Sequence, residues 1–514
     1  MFFSKVHSAQ TNMLKAYIVD IETDITKKTL NAFSIVGLPD KAIEESRDRV
    51  SAAIKNSGFK SPKSRNQKVI TSLAPANIKK EGPNFDLGIA LAYLLASEDI
   101  IFDPAKKIFL GELTLDGKLR KIDGTLSLVR EAKKQGFEEV YLPLENTEEG
   151  ALIKDIKIFG VKNLAQLIRH LNLTDDEQEI ICELKKSPQT QIEYKNLIPE
   201  IDFADVKGQE SAKRGLEIAA SGGHNIAMYG PPGTGKSMLA KAFRGILPHL
   251  SFEDILETTS IHSVAGISQG DLVISPPFRS PHHTASYVSV VGGGVSPKPG
   301  EVTLAHKGIL FLDEFPEFEK RSIEALRQPL EDGTVNISRA KGTATFPADF
   351  ILIATMNPCP CGNYGTKKEC ICTPTQIINY QKKLSGPIID RIDMWVEVSN
   401  IEHSKLSTKD ENLEKSQDIQ KRVAQAREIQ IKRFENTKTN TNSGMSAKDI
   451  ETLIPLSPKT KEVLISSASR LDLSARAYHK IIKLAQTIAD LNQIKEILPE
   501  HILEALQYRP KKTY

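Results

Sequence analysis

The stretch NIAMYGPPGTGKSMLAKAF, residues 225–243, contains an apolar run, a glycine-rich loop and an amphipathic segment in that order. A strand, a loop and a helix in this order are typical of a phosphate-binding loop, in which glycines let backbone N–H groups face a phosphate. Lys236 would bring a positive charge to the β- and γ-phosphates, and Ser237 would offer its hydroxyl to Mg²⁺. The stretch therefore predicts a nucleotide site formed by Gly230, Pro231, Pro232, Gly233, Thr234, Gly235, Lys236 and Ser237.

Two other apolar runs end in polar residues that suit the same site. GILFLDEF, residues 308–315, contains Asp313, which would hold Mg²⁺ through its water shell, and Glu314, which would orient and deprotonate the attacking water. FILIATMN, residues 350–357, ends at Asn357, whose side chain would reach between the γ-phosphate and that water. Adjacent carboxylates at a strand end are usually only solvated, and an Asn there is more often a turn former. The phosphate loop favours the catalytic interpretation.

The chain divides by composition into four segments. Residues 1–173 mix short β-like runs with helical patterns and predict an α+β domain, whereas residues 174–200 are polar and rich in turn formers, as in a linker. In residues 201–400, apolar runs alternate with helical segments, which predicts a parallel sheet with crossover helices and hence an α/β fold. Residues 401–514 are predicted to be almost wholly helical.

Four of the five cysteines lie in one loop, residues 359–372, directly after the strand that ends at Asn357. Zn²⁺ accepts four thiolates, but C-x-C pairs are tighter than the usual C-x₂-C and are expected to strain a single site. Three interpretations stay open: a zinc site, reduced thiols without a metal, and a redox switch. In each of them the loop lies beside the chemistry and does not perform it. The candidate ligands are Cys359, Cys361, Cys370 and Cys372.

Bulk composition excludes several classes of protein. The 68 Lys and Arg residues against 65 Asp and Glu residues give a net charge of +3, so a nucleic-acid partner would need a local basic surface. No apolar run approaches the roughly 18 residues of a membrane span, and no secretory signal is evident at the start. An odd number of cysteines, mostly in one loop, is unlike a secreted disulfide framework. We expect a cytoplasmic protein without a membrane partner.

The motifs GPPGTGKS, GILFLDEF, ATMNPCPCG and LSGPIIDRIDMWVEV together resemble those of AAA+ ATPases of the magnesium-chelatase branch. More narrowly, DFADVKGQESAKRGLEIAASGGHN, FRSPHHTAS and LSARAYHKIIKLAQTIADL resemble the ComM (YifB-like) family, and the resemblance covers nearly the whole chain. It implies a P-loop AAA+ domain with a helical lid, and it implies ATP and Mg²⁺ as ligands. It also supports the role of Asn357.

The resemblance assigns catalytic roles to two arginines that the residues alone would leave as ordinary surface cations. Arg391, in IIDRIDM, matches the arginine finger that completes a neighbouring subunit's site. Arg476, in LSARAYHK, matches the sensor-2 arginine at the start of a lid helix. A finger that acts on a neighbour implies a homo-oligomeric ring, expected to be a hexamer. The predicted catalytic residues are therefore Lys236, Asp313, Glu314, Asn357, Arg391 and Arg476.

The N-terminal segment resembles the proteolytic domain of Lon-type proteases, on the stretches IKKEGPNFDLGIALAYLL and FLGELTLDGKLRKIDGTLSLVREAKKQGFEEVYLP. In that family a nucleophilic serine follows Gly-Pro and is activated by a lysine on a later helix. Here Asn84 follows Gly-Pro, and DGTLSLVRE offers Leu126 or Ser127 where the lysine would be. The resemblance therefore implies the Lon-like fold without peptidase activity.

The stretch GTVNISRAKGTATF predicts a β-hairpin, and it corresponds in position to the hairpin that lines the ring's pore in this branch. Arg339 and Lys341 at its tip are candidate contacts for DNA phosphates, although a solvated tip is the alternative. The resemblance implies an ATP-driven motor with helicase and branch-migration activity on single-stranded and branched DNA, in homologous recombination and natural transformation. The alternatives are a chelatase-like ATPase that remodels a protein partner, against which the long N-terminal domain argues, and an ATP-dependent protease, against which the missing Ser and Lys argue.

Overall fold

The computed structural model describes residues 2–12, 15–172, 184–192, 200–267, 272–294, 298–339, 342–366, 368–400, 413–435, 437 and 439–510. The chain forms two compact units. The first comprises Met1–Glu193 with Thr259–Leu272, and the second comprises Tyr194–Thr258 with Val273–Tyr514. The domain boundaries predicted from composition, at 173, 200 and 400, stay a prediction.

The first unit is built on a mixed seven-stranded sheet, with strand order β3-β4-β2-β1-β5-β8-β9. Strands β1, β2 and β4 pair antiparallel, and the outer pairs are parallel. The strands are β1 (Phe3–Asn12), β2 (Lys15–Lys27), β3 (Ala32–Val36), β4 (Gln67–Ala74), β5 (Lys107–Phe109), β6 (Glu112–Leu113), β7 (Leu119–Arg120), β8 (Glu139–Pro143) and β9 (Lys157–Val161). The helices are α1 (Lys41–Asn56), α2 (Asp86–Ala96), α3 (Thr125–Lys134), α4 (Thr147–Gly150) and α5 (Leu164–Leu171).

The second unit contains a five-stranded sheet with strand order β11-β14-β17-β10-β18, in which every pair is parallel. The strands that follow in the chain are β10 (Ile226–Tyr229), β11 (Phe278–Arg279), β12 (Gly292–Gly293), β13 (Lys298–Pro299), β14 (Ile309–Leu312), β15 (Thr334–Arg339), β16 (Gly342–Pro347), β17 (Ile351–Met356) and β18 (Met394–Glu397). This sheet confirms the predicted α/β fold.

Helices dominate the rest of the chain, and the helical C-terminal region predicted from the sequence is confirmed. The helices are α6 (Glu210–Gly222), α7 (Lys236–Ala242), α8 (Phe252–Val264), α9 (Tyr287–Val291), α10 (Glu301–Leu304), α11 (Lys320–Ala325), α12 (Arg327–Asp332), α13 (Pro374–Gln381), α14 (Gly386–Ile389), α15 (Ser416–Arg433), α16 (Ala447–Leu453), α17 (Pro458–Leu471), α18 (Ala475–Leu491) and α19 (Pro499–Gln507). Among the described residues, no helix combines the length and apolar character needed to cross a bilayer.

The register of the parallel sheet positions the site. Every residue of β10, β14 and β17 is buried, which explains why these strands are continuous apolar runs. Tyr229 pairs with Met356, and Leu312 pairs with Ala354. The three strands therefore end side by side, and the residues that follow them meet at one edge of the sheet. In parallel α/β sheets this carboxyl edge is where ligands bind.

The C-terminal helices share one apolar core with the sheet of this unit, and a buried ion pair lies among them. The Asp490 carboxylate is fully buried, and the Arg433 guanidinium donates to it at 2.8 Å. The side-chain amides of Asn442 and Gln486 donate to the same carboxylate at 2.8 and 2.9 Å. These bonds compensate the cost of removing both charges from water.

Replacing Asp490 by Ala should destabilise this unit by about 3–5 kcal/mol, because the Arg433 charge would stay buried without its partner. The matched control is Asp418→Ala, which removes an exposed carboxylate that contacts Lys421 at 3.1 Å and should cost at most about 1 kcal/mol. The measurement is the shift of the urea midpoint relative to the unchanged chain. Equal shifts for the two variants would contradict the assigned importance of the buried pair.

Candidate functional site

The predicted phosphate loop, residues 230–235, joins β10 to α7. Gly233 and Gly235 have φ values of +78° and +90°, in the left-handed region that residues with a side chain rarely adopt. At Gly230, a Cβ atom would lie 2.0 Å from the carbonyl oxygen of Val398, so a side chain has no room there. These three positions therefore require glycine, and the curled backbone that they permit is the one a phosphate loop needs.

Lys236 occupies the first turn of α7, and its ammonium group lies inside the loop. Its Nζ donates to the carbonyl oxygens of Gly230 and Pro231 at 2.7 Å each and lies 3.3 Å from Oδ1 of Asn357. Only 8% of the residue is exposed. Burial lowers the pKa of Lys236 to about 8, although the charges of Asp313 and Glu314 act in the opposite direction. The site thus holds a largely buried cation, which suits an anionic ligand.

Ser237 and Asp313 form the second part of the cluster. The Ser237 hydroxyl donates to Oδ2 of Asp313 at 3.0 Å, and the hydroxyl of Thr355 donates to Oδ1 of the same carboxylate. Mg²⁺ usually keeps several waters and binds through one or two carboxylates together with substrate phosphates. A hydroxyl and a carboxylate at this separation, beside a phosphate loop, fit that donor set. Ser237 and Asp313 are therefore the residues that would hold Mg²⁺.

Glu314 follows Asp313 and adopts an unusual backbone conformation. Its φ of +52° lies in the left-handed region, and such strain in a residue other than glycine is often found at functional sites. Its carboxylate is about half exposed, and Oε2 lies 3.6 Å from Nδ1 of His283. The carboxylate of Glu314 is therefore accessible to solvent, and His283 is near enough to influence its position.

The two predicted arginines lie elsewhere in this unit and share one carboxylate. The guanidinium of Arg391 donates to Glu331, to the carbonyl oxygen of Arg327 at 3.1 Å and to that of Pro387 at 2.8 Å. Arg476, in the first turn of α18, lies 3.6 Å from Glu331. Within the described residues, neither arginine is recorded in contact with the cluster around Lys236.

The predicted hairpin is present: β15 pairs antiparallel with β16, with Thr334 opposite Pro347 and Arg339 opposite Gly342. It lies in the chain between Glu314 and Asn357, the position that the family resemblance implied. The side chain of Arg339 and the whole of Lys341 lie outside the described residues. Their assignment to DNA stays a prediction.

The four predicted cysteines come together. The Sγ atoms of Cys359, Cys361, Cys370 and Cys372 all lie within 4.8 Å of one another, and all four are free thiols. The predicted strain of the C-x-C spacing therefore does not keep the four thiols apart.

Two residues that contact predicted site residues escaped the sequence analysis. Thr355 is hidden in an apolar run, and Glu331 is one of many acidic helix residues. The only usable signal was Thr355, a hydroxyl on a strand that is otherwise apolar and buried. The contacts of Glu331 with Arg391 and Arg476 join segments that are distant in the sequence, so only the structure reveals them.

Comparison with known proteins identifies the family of the chain. The family model for magnesium chelatase, subunit ChlI, matches residues 202–406, the model for subunit ChlI of Mg-chelatase matches 21–146, and the ChlI C-terminal model matches 413–509. Competence protein ComM of Haemophilus influenzae is 39% identical over 99% of this chain and 98% of its own length. The chain belongs to the ComM/YifB family. It is thus a magnesium-chelatase-type AAA+ protein.

Other relatives of this ComM/YifB-family chain extend the comparison. YifB of Escherichia coli is 40% identical over 99% of the chain and 97% of its own length. A more distant similarity, 26% identity over 43% of the chain, links it to the DNA replication licensing factor Mcm6 of Drosophila melanogaster. Membership of the AAA+ family implies ATP and Mg²⁺ as ligands, and the donor sets at Lys236 and Asp313 fit both.

The lowered pKa of Lys236 predicts that ATP affinity falls as the pH rises. The ammonium form binds phosphate, and the phosphate charges raise the pKa of the bound lysine, so binding above pH 8 requires proton uptake. Between pH 7 and pH 9 the dissociation constant should rise roughly tenfold. Fluorescence titration with an ATP analogue measures it. Lys236→Arg, which stays charged, should bind with a flatter pH profile; the same slope in both proteins would contradict the assignment.

Proposed function

We propose that this chain is an ATP-driven, ring-forming DNA motor with helicase and branch-migration activity, acting in homologous recombination and natural transformation. The observation that carries the proposal is the meeting of Lys236, Ser237, Asp313, Glu314 and Asn357 at the carboxyl edge of the β14-β17-β10 sheet. A cation, a hydroxyl, two carboxylates and an amide in this arrangement are the groups that hydrolysis of a nucleoside triphosphate requires.

Each residue has a separate part in that hydrolysis. Lys236, whose Nζ now donates to the loop carbonyls, would donate instead to the β- and γ-phosphates. Ser237 and Asp313 would hold Mg²⁺, which would supply neutralisation of charge on the phosphates. Glu314 accepts a proton from the attacking water, and Asn357, already beside Lys236, orients that water against the γ-phosphate.

The location of Arg391 supports the proposed ring. Its guanidinium is engaged by its own α12 and α14 segments, apart from the cluster around Lys236. We propose that Arg391 acts as the arginine finger for a neighbouring subunit, and that the finger for this subunit's own site comes from another neighbour. Arg476 is proposed to act as sensor 2. The resulting homo-oligomer is proposed to be hexameric.

DNA is the proposed substrate because of the β15–β16 hairpin. In a ring, hairpins of equal length from each subunit would converge, and Arg339 and Lys341 at each tip would grip successive phosphates of a strand. The similarity to proteins named as DNA replication licensing factors and as a competence protein supports this choice. Such a grip is independent of sequence and should weaken steeply with salt.

Two further assignments belong to the same proposal. The four-cysteine loop is proposed to hold Zn²⁺ as a structural ion. The N-terminal unit is proposed to keep a Lon-like fold without peptidase activity, because Asn84 offers no nucleophile and Ser127 is 4% exposed. That unit is proposed to guide DNA or to stabilise the ring.

Movement of a synthetic four-way DNA junction tests the motor. The unchanged protein should move the junction in the presence of ATP, and Lys236→Ala and Glu314→Gln should abolish both movement and ATP hydrolysis. The double variant Arg339→Ala/Lys341→Ala should lose movement and DNA-stimulated turnover but keep basal hydrolysis.

The matched control for the hairpin variant is Lys459→Ala/Lys461→Ala, which removes two positive charges from exposed positions of α17 and should leave movement unchanged. If the unchanged protein hydrolyses ATP but neither moves the junction nor responds to DNA, the DNA assignment is wrong. The chelatase-like alternative, with a protein client, then replaces it.

Mixing two inactive variants tests whether Arg391 acts on a neighbour. Arg391→Ala keeps its own phosphate loop, and Lys236→Ala keeps its finger, so a mixed ring contains interfaces where both parts are intact. The mixture should recover about a tenth or more of the wild-type turnover, whereas each variant alone should lose roughly 10³-fold. Absence of recovery, with mixed rings demonstrated by mass photometry, would place the action of Arg391 within its own subunit.

A further inference from the structure

The four cysteine sulfur atoms lie close enough together to surround a single tetrahedral metal ion. Sγ of Cys359 lies 3.4 Å from that of Cys361 and 3.8 Å from that of Cys370, and the sulfurs of Cys361 and Cys370 are 3.6 Å apart. Four sulfurs at the usual Zn–S distance of about 2.3 Å stand about 3.8 Å from one another. The sulfur of Cys372 lies within 4.8 Å of the other three. The geometry fits one ion of the size of Zn²⁺.

A tight turn explains how the C-x-C spacing reaches this geometry. The N–H of Gly362 donates to the carbonyl oxygen of Cys359 at 2.9 Å, which closes a turn over Pro360 and brings the first two sulfurs to the same side. The N–H of Tyr364 donates to Sγ of Cys359 at 3.4 Å, the kind of outer contact that orients a metal ligand. Cys359 is fully buried.

The same turn contacts the phosphate loop. Gly362 has a φ of +79°, and a Cβ atom built on it would lie only 2.6 Å from Cδ of Pro232. Cδ belongs to a ring that includes the backbone nitrogen of Pro232, so the contact is effectively with the phosphate-loop backbone. On its other side the cysteine loop begins two residues after Asn357, whose side chain lies 3.3 Å from Nζ of Lys236. The loop thus reaches the nucleotide site at two places.

We propose that Zn²⁺ bound by Cys359, Cys361, Cys370 and Cys372 fixes the turn at Gly362 against Pro232 and thereby holds the phosphate loop in its nucleotide-binding shape. The inference rests on the nucleotide and zinc assignments of the proposed function. It adds that the ion supports the phosphate loop. Loss of the ion frees the turn, the support behind Pro232 is lost, and the nucleotide is bound less tightly.

The test combines metal analysis with nucleotide binding on the full-length protein, without DNA. Mass spectrometry of the metals should find one zinc per chain and no stoichiometric iron. Cys361→Ser/Cys370→Ser should lose the zinc and weaken binding of a fluorescent ATP analogue at least roughly threefold, because the phosphate loop would lose the support behind Pro232 that positions its binding groups. Gly362→Ala should keep the zinc and weaken binding similarly, because the added methyl group displaces Pro232.

The matched control is Gly365→Ala, in the same loop. Gly365 has a φ of +75°, so its backbone strain on substitution is comparable, but its Cβ would meet nothing within 4 Å. This variant should keep both zinc and nucleotide affinity. If the cysteine variant fails to fold, Gly362→Ala still tests the contact between the turn and Pro232, because it leaves all four cysteines in place.

Each outcome has one meaning. Wild-type protein without zinc overturns the metal site, whether or not the chain binds nucleotide. Zinc that is present, with unchanged nucleotide affinity in Gly362→Ala, overturns the link to the phosphate loop. Zinc at one per chain without any nucleotide binding by the wild type would instead contradict the proposed function, and it would leave the link to the phosphate loop without a basis.

Discussion

The parallel pairing of β17 with both β10 and β14 is the constraint on which the rest of the site depends. Because Leu312 lies opposite Ala354, the next residue, Asp313, falls beside Thr355 and receives its hydroxyl hydrogen bond. Because Tyr229 lies opposite Met356, the phosphate loop starts beside Asn357. A shift of one residue in either pairing would turn these polar groups to the opposite face of the sheet. The chemistry is therefore set by main-chain hydrogen bonds between apolar strands.

The two central charged groups of this site, Lys236 and Asp313, are each held by neutral polar groups at hydrogen-bond distance. Lys236 is buried and draws its support from two carbonyl oxygens and the amide of Asn357, with Asp313 and Glu314 supplying longer-range attraction. Asp313 in turn is held by two hydroxyl groups, those of Ser237 and Thr355. Neutral donors and acceptors thus hold both charges in place before any ligand arrives. Asp313 is preorganised in this way, whereas Lys236 would have to exchange its carbonyl partners for phosphate oxygens when a ligand binds.

The sequence predicted those strands and site residues that an apolar run followed by polar residues reveals. Strands buried on both faces are continuous apolar runs, so β10, β14 and β17 were found with their polar ends. Strand β1 was missed, because its buried positions include Ser4, Ser8 and Gln10, which hide the alternation. The pairing of Arg391 and Arg476 with Glu331 depends on packing between distant helices. Likewise, the turn at Gly362 that relieves the C-x-C spacing needs a left-handed backbone that sequence spacing does not reveal.

Gly230 links the phosphate loop to the last strand of the sheet. Its N–H donates to Met356, a Cβ atom on it would collide with the carbonyl of Val398, and the N–H of Val398 donates to Tyr229. The first residue of the phosphate loop is thus enclosed by main chain from two neighbouring strand ends, without an intervening side chain that could absorb movement. The residues after β18 lead toward the C-terminal helices in the chain. A displacement of Gly230 would therefore also displace Val398, because only main-chain atoms separate the two residues. Val398 directly follows β18, so the movement would reach the end of the last strand of the sheet.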